Sequence, residues 1–484
     1  MNWLETLKLP IHRSWTLAIG AAGVVAGLAL APRLPFMASW QWIVVGTCLL
    51  AGAIMLSKRL ILPLAVSAGL LIGGGRGAID LSNQSVWGDA IGQLVTLRGV
   101  VKEDIDRGKN GEIILRLGNI YHQDQSLAGE IWLSLADEAP IRRSDTVELK
   151  VMLRSGFGSF AASGYRAKLI KLTRPKPGDV ALDVRDWFGE AVRRVIDEPM
   201  SSLGLGFLTG QRRSLSPELD DGLRTVGLTH IVVASGYNLT ILVRLIKRLF
   251  EKRSRFQTLF FASLLIGGFI AVTGMTPSMM RAGLVTGMAL GAWYIGRQFQ
   301  PIRLLILAAA ITGFITPSYV WGNLGWQLSF LSFAGVMVVA PLLQRYFFGQ
   351  NPAGLLRQVL GETVSATIMT LPLLMLYFGQ FSTVALFANM LVLPLLPLAM
   401  LTTFLAGLGS LILPVSAEVI GWPAELILGY MLKVTEFFAS LPWAMMEVKI
   451  TAWQTGLMYL ALIGFSLHMW RVTKLNLRAS NIVE

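Results

Sequence analysis

Five polar side chains sit inside one apolar stretch of this chain. Gly227 to Tyr237 reads GLTHIVVASGY and runs on through Asn238, Leu239 and Thr240, so Thr229, His230, Ser235, Asn238 and Thr240 all fall in a segment apolar enough to enter a bilayer. Gly236 lies where a straight helix would be weakest. Polar groups and a helix breaker at membrane depth are tolerated only against other protein or a wet cavity. A Ser235 and His230 nucleophilic pair is conceivable, but five residues along a helix separate them by more than one turn and no orienting acid lies nearby. Hydrogen bonding along a path fits the pattern better than covalent catalysis.

Three further sites carry the same chemistry. Arg281 lies in MMRAGLVTGMALG, where the lipid face of the helix would reject a guanidinium. It either faces a polar path, snorkels to the outer headgroups or pairs with a backbone carbonyl. Gln327 and Ser329, in WQLSF, flank the same type of apolar run; Trp321 and Trp326 beside them read as an interface belt. Arg212 and Arg213, ahead of the central stretch, are placed to feed phosphates toward an entrance or to sit in a solvated loop. Gly283, Gly287 and Gly291, every fourth residue after Arg281, invite the close approach of a neighbouring helix.

Metal and redox chemistry are not indicated. The four histidines, His12, His122, His230 and His468, lack ligand spacing, and the single Cys48 allows neither an intramolecular disulfide nor a thiolate cluster. No GxxxxGK[ST] phosphate loop occurs. No cofactor, no metal and no catalytic residue are expected.

The elements that must position these residues are membrane helices. Of 484 residues 54% are hydrophobic and 15% charged, with a mean hydropathy of +0.58, which excludes an ordinary soluble protein. The net charge of +13 reflects either cytoplasmic loops or an attraction for polyanions. Trp15 to Ala31, Trp40 to Ser57 and Leu60 to Ile79 read as three helices; the first is retained rather than cleaved as a signal, because two more follow at once. About nine further apolar runs are expected after residue 226, with both termini cytoplasmic and Arg244 to Arg255 marking a cytoplasmic end.

Between these sets the composition changes. Residues 90–177 alternate in short apolar stretches, at 94–101, 112–117, 130–135, 146–153 and 165–172, separated by turn signals. Five short strands predict a small β-barrel of the OB type. This segment holds 14 Lys and Arg against 10 Asp and Glu, and Trp132, Tyr121, Phe157, Phe160 and Tyr165 supply rings. Those rings either fill the barrel core or form a platform for the bases of a single strand. Past the stiff linker Pro175 to Gly178, residues 181–196 form an amphipathic helix too charged to span, suited to the bilayer surface or to packing on the barrel. Ser216-Pro217-Glu218 is a helix start. The expected fold is a polytopic α-helical membrane protein with an external OB-fold-like β-barrel inserted after the first three helices. Its divisions are 1–80, 90–177, 178–225 and 226–484.

Four stretches resemble the ComEC family, competence channels that pass one strand of transforming DNA across the bacterial inner membrane. They are LTGQRRSLSPELDDGLRTVGLTHIVVASGYNLTI (208–241), TPSMMRAG (276–283), PSYVWGNLGWQLSFLSFAGV (317–336) and GQLVTLRGVV (92–101). The chain departs from the family where many members have His after Ser-Gly; here Tyr237-Asn238 stands in that place. It also shows no His-x-His-x-Asp-His arrangement, the mark of the family's frequent C-terminal metallo-β-lactamase-like domain. The resemblance implies an inner-membrane channel for single-stranded DNA, with the barrel external or periplasmic. It also implies a separate DNA receptor, a cytoplasmic motor and a nuclease as partners, contact with membrane lipid, and leaves a homo-oligomer open. Two other readings stand beside it: a transporter of another anionic substrate, a nucleotide or a lipid-linked polymer, and a membrane enzyme built on Ser235 and His230.

Overall fold

The computed structural model describes residues 13–55, 61–108, 111–123, 125–135, 139–211, 215–232, 236–250, 254–297, 300–349, 354–413 and 417–475. It sorts into two compact units, one made of 1–178 with 303–327 and the other of 179–302 with 328–484. Among the described residues six helical stretches can cross a membrane by length and composition: 15–33, 62–89, 255–273, 324–348, 357–378 and 385–412. The count expected from apolar runs was about twelve. Some of the runs fold into shorter apolar helices, such as 40–53 and 301–315.

The first unit opens with α1 (Arg13–Leu30), α2 (Trp40–Met55) and α3 (Ile61–Gln84). Glycine brings α1 and α3 together. A Cβ at Gly23 would come within 2.7 Å of the Val66 carbonyl, and Gly69 and Gly73 press on the backbone of Gly20 and Val24. Small residues substitute here for a hydrophobic drive that is absent between helices in lipid. The three-helix start is as expected, but this seam was not read from the sequence.

The barrel follows. Its strands are β1 (Leu94–Val101), β2 (Asp106–Arg107), β3 (Ile113–His122), β4 (Gln125–Leu127), β5 (Ile131–Leu135), β6 (Thr146–Ser155) and β7 (Ala162–Thr173). β1 pairs antiparallel with both β3 and β6, β3 with β5, and β6 with β7, while β5 and β7 run parallel in the register Ile131↔Ala162. Five strands therefore close on themselves in the OB arrangement, with β2 and β4 as minor additions. Leu97, Leu115, Leu117, Ile131, Leu133 and Leu149 are fully buried, so aliphatic side chains fill the barrel. Trp87, 1% exposed, joins this core and donates from Nε1 to the Ala128 carbonyl at 2.8 Å. The later segment of this unit holds most of α11 (Pro301–Ile315), α12 (Ser318–Gly322) and the first turn of α13 (Leu324–Ala334).

The described residues of the second unit are helical apart from one small two-stranded antiparallel sheet. In order come α4 (Val180–Arg193), α5 (Met200–Thr209), α6 (Pro217–Thr225), α7 (Thr229–Val232), α8 (Gly236–Leu249), α9 (Arg255–Thr273) and α10 (Pro277–Tyr294). After α13 a π-helical stretch, Gly335–Val339, leads into α14 (Ala340–Phe348) and α15 (Leu355–Phe378). Next stand β8 (Gln380–Ser382), α16 (Ala385–Val392), α17 (Leu396–Ile412), α18 (Ala417–Ala439), β9 (Met445–Glu447) and α19 (Ala452–Thr473). Local signals set the starts: Ser216 accepts from Leu219 N at 3.2 Å with Pro217 in the first helical position, and Thr276 does the same for Met279 N at 3.4 Å with Pro277.

The amphipathic helix α4 divides its apolar residues between two environments. Phe188 stacks on Phe404 of α17 at 5.8 Å and Val192 is buried, whereas Val180, Val184 and Trp187 form an exposed stripe one turn apart. Of the glycines after Arg281, Gly283 meets Ile270, but Gly287 and Gly291 have nothing within 4 Å among the described residues. The predicted close approach is thus confined to one turn.

Candidate functional site

The central stretch is two short helices rather than one. α7 ends at Val232 and α8 begins at Gly236. At 14 residues α8 is about 21 Å long, short of a hydrocarbon core of about 30 Å. Gly227, with φ +72°, makes the turn into α7, and a Cβ there would press on Ala385. His230 is exposed, and its Nδ1 lies 3.0 Å from the Gly227 carbonyl. A carbonyl only accepts, so Nδ1 carries the proton and Nε2 of the neutral ring is left as an acceptor. Asn238 is fully buried and donates from Nδ2 to the Phe207 carbonyl of α5 at 2.8 Å. It ties α8 to α5. Ser235, Arg212 and Arg213 lie outside the described residues.

Arg281, in the second turn of α10, is 7% exposed. Its Nε donates to Ser329 Oγ on α13 at 2.8 Å, and its guanidinium lies over Phe333 at 4.9 Å and near Phe330 at 6.0 Å. On another side it meets Gly236: a Cβ at that glycine would stand 2.9 Å from Arg281 Nη2 and 3.0 Å from Ala282 Cβ. Residues from three separate stretches, SGYN, MMRAG and QLSFLSF, therefore converge on one cation. Among the described residues no carboxylate pairs with it. Ser329 uses the inner nitrogen and leaves the outer fork, the part suited to bidentate phosphate binding. Snorkelling to headgroups does not describe a guanidinium this enclosed. Phe330, Phe333 and the role of Gly236 as floor were missed in the sequence, where two phenylalanines in an apolar run carry no distinguishing signal.

Gln327 does not join this group. Its Nε2 donates to the Val320 carbonyl at 3.0 Å, across the turn between α12 and α13. There the amide completes a helix junction whose carbonyl would otherwise be unmatched. Asn323 works there too, accepting from Trp326 N at 2.8 Å. Trp326 is 5% exposed and donates from Nε1 to Thr312 Oγ1 at 2.9 Å, so it is a core residue rather than part of an interface belt. The cavity bounded by Leu203, Phe207, Leu228, Ile231, Val392 and Thr435 has an almost wholly apolar lining and offers no phosphate ligand.

On the barrel the candidate rings are outside, not in the core. Trp132 packs on Phe157 at 5.7 Å and on Tyr165 at 5.2 Å, and Phe157 on Phe160 at 5.5 Å. Phe157 and Tyr165 remain about half exposed, at 48% each. Arg154, which sequence reasoning did not single out, lies over Tyr165 at 5.1 Å. Tyr121 is exposed on β3 in register with Arg98 and Ser126, away from that cluster along the strand. Arg116, paired in register with Trp132, is held by Glu103 and, at 3.3 Å, by Asp106. Burial and then the neighbouring Glu103 raise the Glu130 carboxyl above its ordinary range. Tyr319 of α12 is 7% exposed; burial, Glu130 and Glu103 push its hydroxyl upward as well.

Residues 207–473 match the family model described as competence protein. ComE operon protein 3 of Bacillus subtilis (strain 168) is 25% identical over 226 residues, 46% of this chain and 28% of that protein. The chain therefore spans well under a third of that relative's length in the matched region. No solved structure matches. Because the family match covers more than half of the chain and includes the residues that gather around Arg281, the chain belongs to the competence-protein family and is of the ComEC type.

Proposed function

We propose that this protein takes up DNA, conducting a single strand across the bacterial inner membrane. In this reading the barrel stands on the outer side and receives the strand, and the second unit holds the path. The one observation that carries it is Arg281, a buried guanidinium free of carboxylate partners among the described residues, oriented by Ser329 and backed by Phe333 and Gly236. A phosphodiester needs donors and cations where bare charge is costly, spaced so that no single site traps the polymer. Arg281 with Ser329 supplies one such station, and His230, on the short helix that precedes Gly236, is a further polar group of the same segment. Arg212, Arg213 and Ser235 extend the set by position in the chain. The family name and the name of the Bacillus subtilis relative support the coarse role in competence.

A separate DNA receptor, a cytoplasmic motor and a nuclease complete the system in this reading. The functional divisions proposed are N-terminal helices at 1–80, the barrel at 90–177, an outer-face segment at 178–225 and the conducting bundle at 226–484. The test is delivery of fluorescent DNA to the cytoplasm of a deletion strain complemented with this chain. Entry should require the chain and be competed by single-stranded DNA of mixed sequence. Restoration of growth on a small anionic solute, with labelled DNA still excluded, would replace this reading with a carrier.

A further inference from the structure

OB barrels take oligonucleotides on the face of their second and third strands, between the loops that join strands one to two and four to five. Here those strands are β3 and β5, and the loops are 102–112 and 156–161. That face is occupied by the chain itself. Tyr319 of α12 is buried within electrostatic reach of Glu130, Glu103 and Arg116. Gly158, at φ +59°, abuts Gly322 so closely that a Cβ would stand 2.8 Å from the Gly322 carbonyl, and a Cβ on Gly322 would run into Gly158. Asn323 Nδ2 donates to Ser159 Oγ at 3.4 Å. The charge on this side is also wrong for a polyanion, since Arg116 is already neutralised by Glu103 and Asp106.

The β6–β7 hairpin, which adjoins that face through the β5–β7 pairing and the contact of Tyr165 with Trp132 at 5.2 Å, has the opposite charge. The β6–β7 hairpin carries Lys150, Arg154, Arg166, Lys168 and Lys171 against a single acid, Glu148. Glu148 stands opposite Arg98 and Lys171, at one end. Beyond it Lys150 faces Lys168 directly across the strands, both exposed. Like charges placed opposite one another destabilise a sheet pair. Among the described residues neither lysine, nor Arg154, has a carboxylate partner. A bulge at Arg166, φ +53°, turns the strand beside Tyr165, and Arg154 lies over that ring at 5.1 Å. Three uncompensated cations next to an exposed ring are the pairing a single strand requires: phosphates to the cations, a base to the ring.

We propose that single-stranded DNA is received on the outer face of β6 and β7, at Lys150, Lys168, Arg154 and Tyr165, and that the usual oligonucleotide face of the barrel serves to hold α12. This rests on the reading of the barrel as receiver. The test uses the full chain in lipid nanodiscs and a fluorescent oligothymidylate of about 16 nucleotides, the upper site size for one such barrel. Replacing Lys150, Arg154 and Lys168 together by Gln should weaken binding at least about tenfold and reduce the slope of log affinity against log salt by about 2, at about 0.7 per phosphate contact on a single strand. The double variant Lys150→Arg and Lys168→Arg should bind as the unaltered chain does, which separates charge from folding. Binding by the triple variant with unchanged affinity and slope overturns the assignment of this face alone. Failure of the unaltered chain to bind the oligonucleotide removes the barrel as receiver, and this proposal with it.

Discussion

Replacing Arg281 by Met separates a structural guanidinium from a conducting one. The substitution removes the bond from Nε to Ser329, worth about 1.5–3 kcal/mol for a charged donor, and the contact with Phe333, worth about 0.5–2 kcal/mol. It also relieves a buried charge that no carboxylate among the described residues offsets, and desolvating one ion costs several kcal/mol. These terms oppose each other, so the net change in stability should stay within about 2 kcal/mol. A thermal midpoint measured by loss of the monodisperse peak in detergent should therefore move by only a few degrees. DNA entry should fall far more. Losing a single charge-assisted contact of about 1.5 kcal/mol on the conducting path already slows passage about tenfold, and the outer fork can make two. Arg281→Lys, which keeps charge but lacks the planar fork, should lie between. The assay is uptake of labelled DNA at matched protein level. Normal uptake by Arg281→Met would refute the argument, as would a stability loss beyond about 5 kcal/mol, which would mark the residue as a structural core element.

Other outcomes follow from single contacts. Gly322→Ala should destabilise the first unit by about 1–3 kcal/mol, because the new methyl meets backbone at Gly158 rather than a flexible side chain; differential scanning fluorimetry of the purified chain reads this. Asn238→Leu should cost about 1–3 kcal/mol by stripping the Phe207 carbonyl of its donor, with Asn238→Ser recovering little because the shorter side chain does not reach. Glu130→Gln should stabilise the chain at neutral pH. The folded state raises this carboxyl, so it favours the protonated form; the penalty is absent below the unfolded value and grows as pH rises through it. The gain from Glu130→Gln should thus vanish in acid, and a gain equal at pH 4 and pH 7 would contradict it.

The barrel was legible because its strands alternate with a period of two and its turns carry Gly; all five main strands fall where alternation placed them, within a few residues. The helix start at Ser216 was legible from its capping side chain and the proline that follows it. Arg281 stood out as a charge in an apolar run, and the structure makes it the centre of a group. Gln327 has the same kind of visibility and turned out to serve a helix junction, because sequence shows that a polar group needs a partner but not which one it finds. Phe333, the Gly236 contact and the seam between α1 and α3 were hidden because each depends on residues distant in the chain. Arg154 and the Lys150–Lys168 pair became meaningful only once strand register put them side by side.

The π-helical stretch at Gly335–Val339 bears on Ser329 as well. There Ala340 N–H reaches back to the Gly335 carbonyl, one residue further than in an α-helix, and the Ser365 backbone fits against Gly335. One surplus residue is thus stored in the rod that carries the Arg281 ligand. Were the same residues wound as a regular α-helix, everything before the wide turn would swing by about 100° about the axis. Ser329 and Phe333 would then turn their backs on the guanidinium. The clamp on the cation is therefore set by the winding of the helix more than a turn away.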